Sequence, residues 1–305
     1  MKRKLVKQGA STLMISIPAK WAKDNNLDKG AEIDLEIENN NLIVKSEEKK
    51  SEKIARLKIS TGAESSIRTM ITNAYRLGYS KLIITFNNEQ ELKFIKKSTK
   101  INLLGFEITD IKENTCTIEN ITEPSNEHVE KIFLKVLFSI SELLKSTKEQ
   151  LQGLERKKYI NELEEKIYQY DNFVRRTHSL SKEEDTPIKW IFHSQLIHAQ
   201  REVFFLAKFV EENKIKVSKE IIKLYEELEK IYENLKQGYL KNDLKRLEEI
   251  HQMEKEIILI ETYKLFEKTK GKENIIIHRI ASAVRKFYLS ASPLIGLQLW
   301  NTQEK

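Results

Sequence analysis

The chain's 305 residues are long enough for two or three domains, and 40% of them are hydrophobic, enough to build real cores. Charged residues make up 32% and leave a formal net charge of +7, a balance that favours an anionic partner. The single cysteine, Cys116, excludes a disulfide scaffold and a cysteine-based zinc site and fits a reducing cytoplasm.

Residues 1–46 alternate like strands. Leu13, Ile15 and Ile17 recur with period two and predict a first strand, Ile33, Leu35 and Ile37 a second, and 42–44 a shorter third. Pro18 opens a short predicted helix over 19–26, because its fixed φ suits a first helical turn. Asp28-Lys29-Gly30 and Asn39-Asn40-Asn41 read as turns, and the polar run 47–53 as a linker.

Residues 54–123 read as a small α/β unit. Its predicted elements are a strand over 54–59, a helix over 64–77, a strand over 82–86, a helix over 89–97, and a hairpin of 106–111 with 116–121. Ile67, Ile71 and Ala74 share one face of the first of these helices, Gly78 stands at its C-cap, and Pro124 closes the zone.

From 125 to 305 the pattern is helical throughout, with predicted helices over 126–152, 155–181, 187–213, 217–237, 241–270 and 272–302. Gly153, Gly238 and Gly271 fall at three of the breaks, and Thr186-Pro187 reads as an N-cap followed by proline at the first position. Six long amphipathic helices with short connections predict antiparallel packing in two stacked three-helix bundles. The expected fold class is a multidomain α+β chain: a small N-terminal β domain, a small α/β segment, then an all-α domain. No apolar run reaches the roughly 18 residues of a membrane helix, the longest being 288–300, and Lys7, Gln8 and Gly9 break up any leader core. A soluble, cytoplasmic protein without membrane insertion is expected.

Lys2, Arg3, Lys4, Lys7, Lys20 and Lys23 precede the first acidic residue, Asp24. Acids then follow at Asp28, Glu32, Asp34, Glu36 and Glu38, so a basic start faces an acidic second half. Such a strip reads either as a solubilising terminus or as a set of phosphate contacts. A unit of about 45 residues with so few apolar side chains needs a second copy to bury enough surface. A two-fold homodimer doubles six basic residues to twelve and matches the pseudo-symmetry of duplex DNA.

The runs Lys7-Gln8-Gly9-Ala10-Ser11-Thr12, Ile15-Ser16-Ile17-Pro18-Ala19-Lys20-Trp21 and Leu27-Asp28-Lys29-Gly30-Ala31-Glu32-Ile33 resemble the archaeal AbrB/SpoVT type. That resemblance covers 1–46 and implies a swapped-hairpin dimer that binds double-stranded DNA. Gly9 and Gly30 match the family's turn glycines, and Lys2, Arg3, Lys4, Lys7 and Lys20 become the implied DNA contacts. Lysines stand where the family usually has arginines. Lysine meets phosphate as a point charge without the fork used on guanine.

This module, an α/β segment containing Ala74-Tyr75-Arg76-Leu77-Gly78-Tyr79, and six helices together resemble archaeal PhoU-family regulators of phosphate uptake. Many members carry a Glu-x-x-x-Asp metal signature in each repeat, but here Glu164 is followed at that spacing by Tyr168 and Glu254 by Ile258. No metal is expected, and the bundle reads as an interaction or sensing module for a protein partner. His193 and His198 lie about 140° apart on a helix and are expected at its boundary or surface. Phe133, Phe138, Phe173, Phe204, Phe205 and Phe209 are expected in the core. Arg175, Arg176, Arg201, Arg279 and Arg285 are expected to be solvated or ion-paired, with an anion-binding strip as the other reading. Neither a phosphate loop nor a nucleophile elbow is present, so no catalytic site and no cofactor are expected. The functional expectation is a DNA-binding transcriptional regulator of phosphate uptake. The alternatives are an adaptor on a phosphate transporter and an architectural, sequence-tolerant DNA binder.

Overall fold

The computed structural model describes residues 2–9, 11–38, 41–46, 53–122, 128–181 and 183–303. Most of the expected linker, Asn39 and Asn40 of the expected turn, Pro124 and the first residues of the helix expected from 126 lie outside the described residues. The chain divides into two compact units, Met1–Glu52 and Lys53–Lys305.

The first unit consists of two separate antiparallel hairpins and one short helix. Strands β1 (Val6–Gln8) and β2 (Thr12–Met14) form the first hairpin, α1 spans Ala19–Asp24, and β3 (Ile33–Glu38) pairs with β4 (Asn41–Ser46). The first expected strand is thus corrected: it ends at Met14, so Ile15 and Ile17 lie outside it, and Val6–Gln8 pairs with it across a loop. Gly9 in that loop has φ +72°, which a side chain resists. Helix α1 stops at Asp24, two residues short of the expected end, where the Asn25 side-chain amide donates to the Trp21 carbonyl at 2.8 Å. The Ser46 hydroxyl donates to Asn25 Oδ1 at 2.9 Å and ties the end of β4 to the end of α1.

In the second unit, β5 (Ile54–Lys58), β6 (Lys81–Thr85), β7 (Phe106–Lys112) and β8 (Thr115–Asn120) form a sheet in the order β5-β6-β8-β7. The β5–β6 pair is parallel and the others are antiparallel. Helix α2 (Glu64–Arg76) makes the crossover between β5 and β6, as a parallel pair requires, and α3 (Glu89–Asn102) leads from β6 to β7. Ile67, Ile71 and Ile95 pack with Leu82, Ile84, Cys116 and Ile118 in one core. Helix α3 runs five residues past the expected Lys97, where Ser98, Thr99 and Asn102 are buried and the Thr99 hydroxyl and Asn102 amide donate back to the Ile95 and Ser98 carbonyls.

The remaining helices are α4 (Val129–Leu151), α5 (Lys157–Leu180), α6 (Thr186–Asn213), α7 (Lys219–Lys241), α8 (Leu244–Glu256), α9 (Thr262–Lys268) and α10 (Lys272–Gln303). The fifth expected helix is corrected: a π turn at Ile257–Glu261 separates α8 from α9. Helices α4, α5 and α6 pack on one another, as do α7, α8 and α10, and α6 runs along α10. One continuous core, from Ile132 to Leu297, draws on all of them but α9, whose half-buried Leu265 and Phe266 pack against it.

Gly238 does not mark a helix break. It lies inside α7, where an added Cβ would come within 2.4 Å of Leu247, so the residue permits the close approach of α8. The N-cap of α6 is Asp185 rather than Thr186. His193 lies neither at a helix boundary nor on the surface: it is buried in mid-α6, stacked on Phe133 with ring centroids 4.2 Å apart. His198 is exposed but also within the helix. Of the expected core phenylalanines, Phe133 and Phe173 are buried, whereas Phe138 and Phe205 are exposed at 53% and 36%. The buried Lys236 lies over the Phe138 ring, and the half-buried Arg201 and Arg279 lie over Phe205, so these rings serve as platforms for cations.

Candidate nucleic-acid interface

The first unit has no buried residue among those described. In the second hairpin the pairs Leu35↔Val44 and Ile37↔Leu42, with Ile33 opposite Ser46, place five apolar side chains on one face. Asp34 opposite Lys45 and Glu36 opposite Ile43 occupy the other. Leu35, Ile37 and Leu42 are nevertheless 59%, 80% and 56% exposed, as are Leu5, Val6 and Leu13 of the first hairpin to a similar degree. A hairpin alone is marginal in water, and so much apolar surface on one small unit marks a contact face.

Lys2, Arg3 and Lys4 run into β1, and Lys7 stands within β1 directly opposite Leu13. Lys20 lies apart from these in the first turn of α1. All five are exposed, and among the described residues none makes an ion pair or a side-chain hydrogen bond. Lys23, in the last turn of α1, is also exposed and has no ion-pair partner among the described residues. By contrast Lys45 pairs with Glu36 on the acidic hairpin. Cations without local partners keep their full charge available for phosphate.

The arginines of the helical region are engaged within the protein. Arg175 is buried and donates to Asp171 at 2.9 Å, Arg279 pairs with Glu202 at 2.7 Å, and Arg285 pairs with the buried Glu254. Arg176 is buried rather than solvated and donates to the Tyr75 and Tyr79 carbonyls, at 2.8 Å each. Arg201 lies over the Tyr168 ring at 5.6 Å. Burial is the largest influence on Glu164 and raises its pKa, while Arg68 and Arg201 oppose the shift. Among the described residues no group of three or more His, Cys, Asp or Glu side chains is arranged to hold a metal ion. None of the described helices is long and apolar enough to cross a membrane.

A family model described as antidote-toxin recognition MazE, bacterial antitoxin, matches residues 6–53. The N-terminus therefore carries a domain of the AbrB/SpoVT-like swapped-hairpin kind, a type that implies DNA binding and dimerisation. No curated protein and no solved structure matches the chain.

Proposed function

We propose that this protein is a homodimeric, DNA-binding transcriptional regulator of phosphate uptake. In this reading the N-terminal unit grips the duplex, and the helical unit receives the signal as a PhoU-like pair of three-helix bundles. The observation that carries the DNA reading is the coincidence, on one small unit, of unpaired exposed cations and an uncovered apolar hairpin face. The second copy covers the apolar face, and the cations of both copies meet phosphate. Lys2, Arg3, Lys4, Lys7 and Lys20 are the proposed contacts. No catalytic step and no cofactor belong to this function.

The test is the salt dependence of duplex binding by the full chain. Each phosphate contact contributes about 0.9 to the slope of log affinity against log salt. Arg3→Ala, Lys4→Ala and Lys7→Ala together remove six cations from a dimer, so the slope should fall by about five, with similar losses for specific and random duplexes. A folded triple variant with the wild-type slope would overturn the assignment of these contacts and favour the transporter-adaptor alternative. Equal wild-type affinity for genomic and random duplexes would favour an architectural DNA binder. A second reading, an antitoxin-like role, draws on the toxin recognition named in the matching family's description. Co-purification of a stoichiometric toxin from the native host would support it.

A further inference from the structure

Within the helical unit lies a cavity of about 650 Å³, inside the range of roughly 300–1,000 Å³ usual for small-molecule sites. Five helices wall it. Phe133 comes from α4, His178 from α5, Phe192 and His193 from α6, Tyr239 from α7 and Leu294 from α10. The aromatic rings brace one another: Phe133 stacks on His193, and Phe192 stacks on Tyr239 at 5.9 Å with an interplanar angle of 13°.

The charges in the lining are unequal. Lys189 is held between Glu183 at 2.6 Å and Asp185 at 2.9 Å. Glu130 accepts from the Tyr239 hydroxyl, 2.9 and 3.0 Å from its two oxygens, and has no cationic partner among the described residues. Among the described lining residues, three carboxylates against one ammonium leave two negative charges in excess. The tyrosine hydroxyl has one proton to give, so most of the Glu130 lone pairs stay open. Burial keeps the two histidines neutral: it pushes His178 down to about 4, helped by Lys189, and holds His193 well below its ordinary value. They add no positive charge near neutral pH.

Two buried polar atoms of the inner wall are left unpartnered. His193 and Gln298 are each 4% exposed, and the His193 Nδ1 and Gln298 Oε1 atoms have no hydrogen-bond partner among the described residues. The Gln298 amide nitrogen donates to the Gly238 carbonyl at 2.7 Å, which fixes the side chain so that its oxygen is left as an acceptor. A neutral imidazole can likewise offer one ring nitrogen as an acceptor.

We propose that this cavity binds a small organic cation carrying N–H donors on an apolar or aromatic body. The ammonium or guanidinium end meets Glu130, and the body lies against Tyr239, Leu134 and Leu240, lining side chains that keep accessible surface. An anion is disfavoured, because the one lysine in the lining is already matched by two carboxylates. This site stands whether or not the N-terminal unit binds DNA.

The test uses the full chain and two probes that share an indole ring, tryptamine and indole-3-propionate, titrated calorimetrically near neutral pH. Tryptamine should bind one per chain and at least about tenfold tighter than the anion. Glu130 is exposed, so Glu130→Gln should keep the wild-type unfolding midpoint while weakening tryptamine about tenfold. Glu130→Lys should reverse the preference between the two probes. Any of three results would overturn the proposal: no tryptamine binding up to ~10 mM, equal affinity for both probes, or unchanged affinity in Glu130→Gln.

Discussion

His178 and His193 show how far a side chain's chemistry depends on its surroundings. Their rings meet edge to face, with centroids 5.1 Å apart, between α5 and α6. Burial first, and then the Lys189 ammonium, lower the His178 pKa from 6.5 to about 4, while Glu183, Asp185 and Asp171 pull the other way. The folded protein therefore declines a proton that the unfolded chain accepts. His178's contribution to stability is whole above about pH 6.5, falls as the pH drops toward 4 and levels off below that, a span worth on the order of 3 kcal/mol. Urea unfolding at about pH 7 and about pH 4.5 should show His178→Asn losing roughly 2 kcal/mol less than the wild type over that interval. Equal losses would mean that His178 protonates freely in the fold. His193 acts in the same direction and remains in the variant, so the comparison isolates one ring. Sequence spacing placed both His193 and His198 on a helix but could not tell which of them faces the core. A wide apolar face on α6 buries His193 against Phe133, and that face emerges only when α4 packs on it.

At the scale of elements, patterns of period two and 3.6 were legible over most of the chain, because each element buries one face. The α2, β6 and β7–β8 elements lie within a residue or two of their expected bounds. Strand β1 was missed, since Leu5-Val6-Lys7-Gln8 carries no alternation and is a strand only through its pairing with β2. The π turn was missed for a similar reason: Ile257–Glu261 continues the helical pattern, and its widened turn is set by packing against α10. How the α/β layer docks on the helices was also hidden. Arg76 reaches Asn172 at 2.8 Å, and Arg176 donates to two carbonyls just beyond α2 and at its end, while lying over the Tyr75 and Phe106 rings. Arg176→Met keeps much of the bulk but leaves the Tyr75 and Tyr79 carbonyls without this donor. The variant should lose roughly 2–4 kcal/mol, because hydrogen bonds from a charged group count for more than neutral ones. Denaturant unfolding measures this, and a loss within about 0.5 kcal/mol would place the docking energy in the apolar contacts instead.

Across the whole molecule the two units differ in self-sufficiency. The second buries complete cores, whereas the first leaves its hairpin faces open. Leu35→Asp with Ile37→Asp puts two charges on the apolar face of β3–β4, and burying an unpaired carboxylate there would be strongly unfavourable. The double variant should sediment as a monomer at micromolar concentration and lose duplex binding, while the helical circular dichroism of the second unit persists. A dimer of wild-type affinity would show that self-association runs through other residues. By itself the sequence determined most of the elements, the basic character of the N-terminal strip and its resemblance to a swapped-hairpin DNA binder, because periodicity, turn residues and charge order are local properties of the chain. Only the tertiary structure decided which arginines are consumed inside the protein, which phenylalanines stay at the surface, and that five helices enclose an acidic, aromatic cavity. Those outcomes depend on residues far apart in sequence, such as Glu130 of α4 and Tyr239 of α7, being brought together by helix packing.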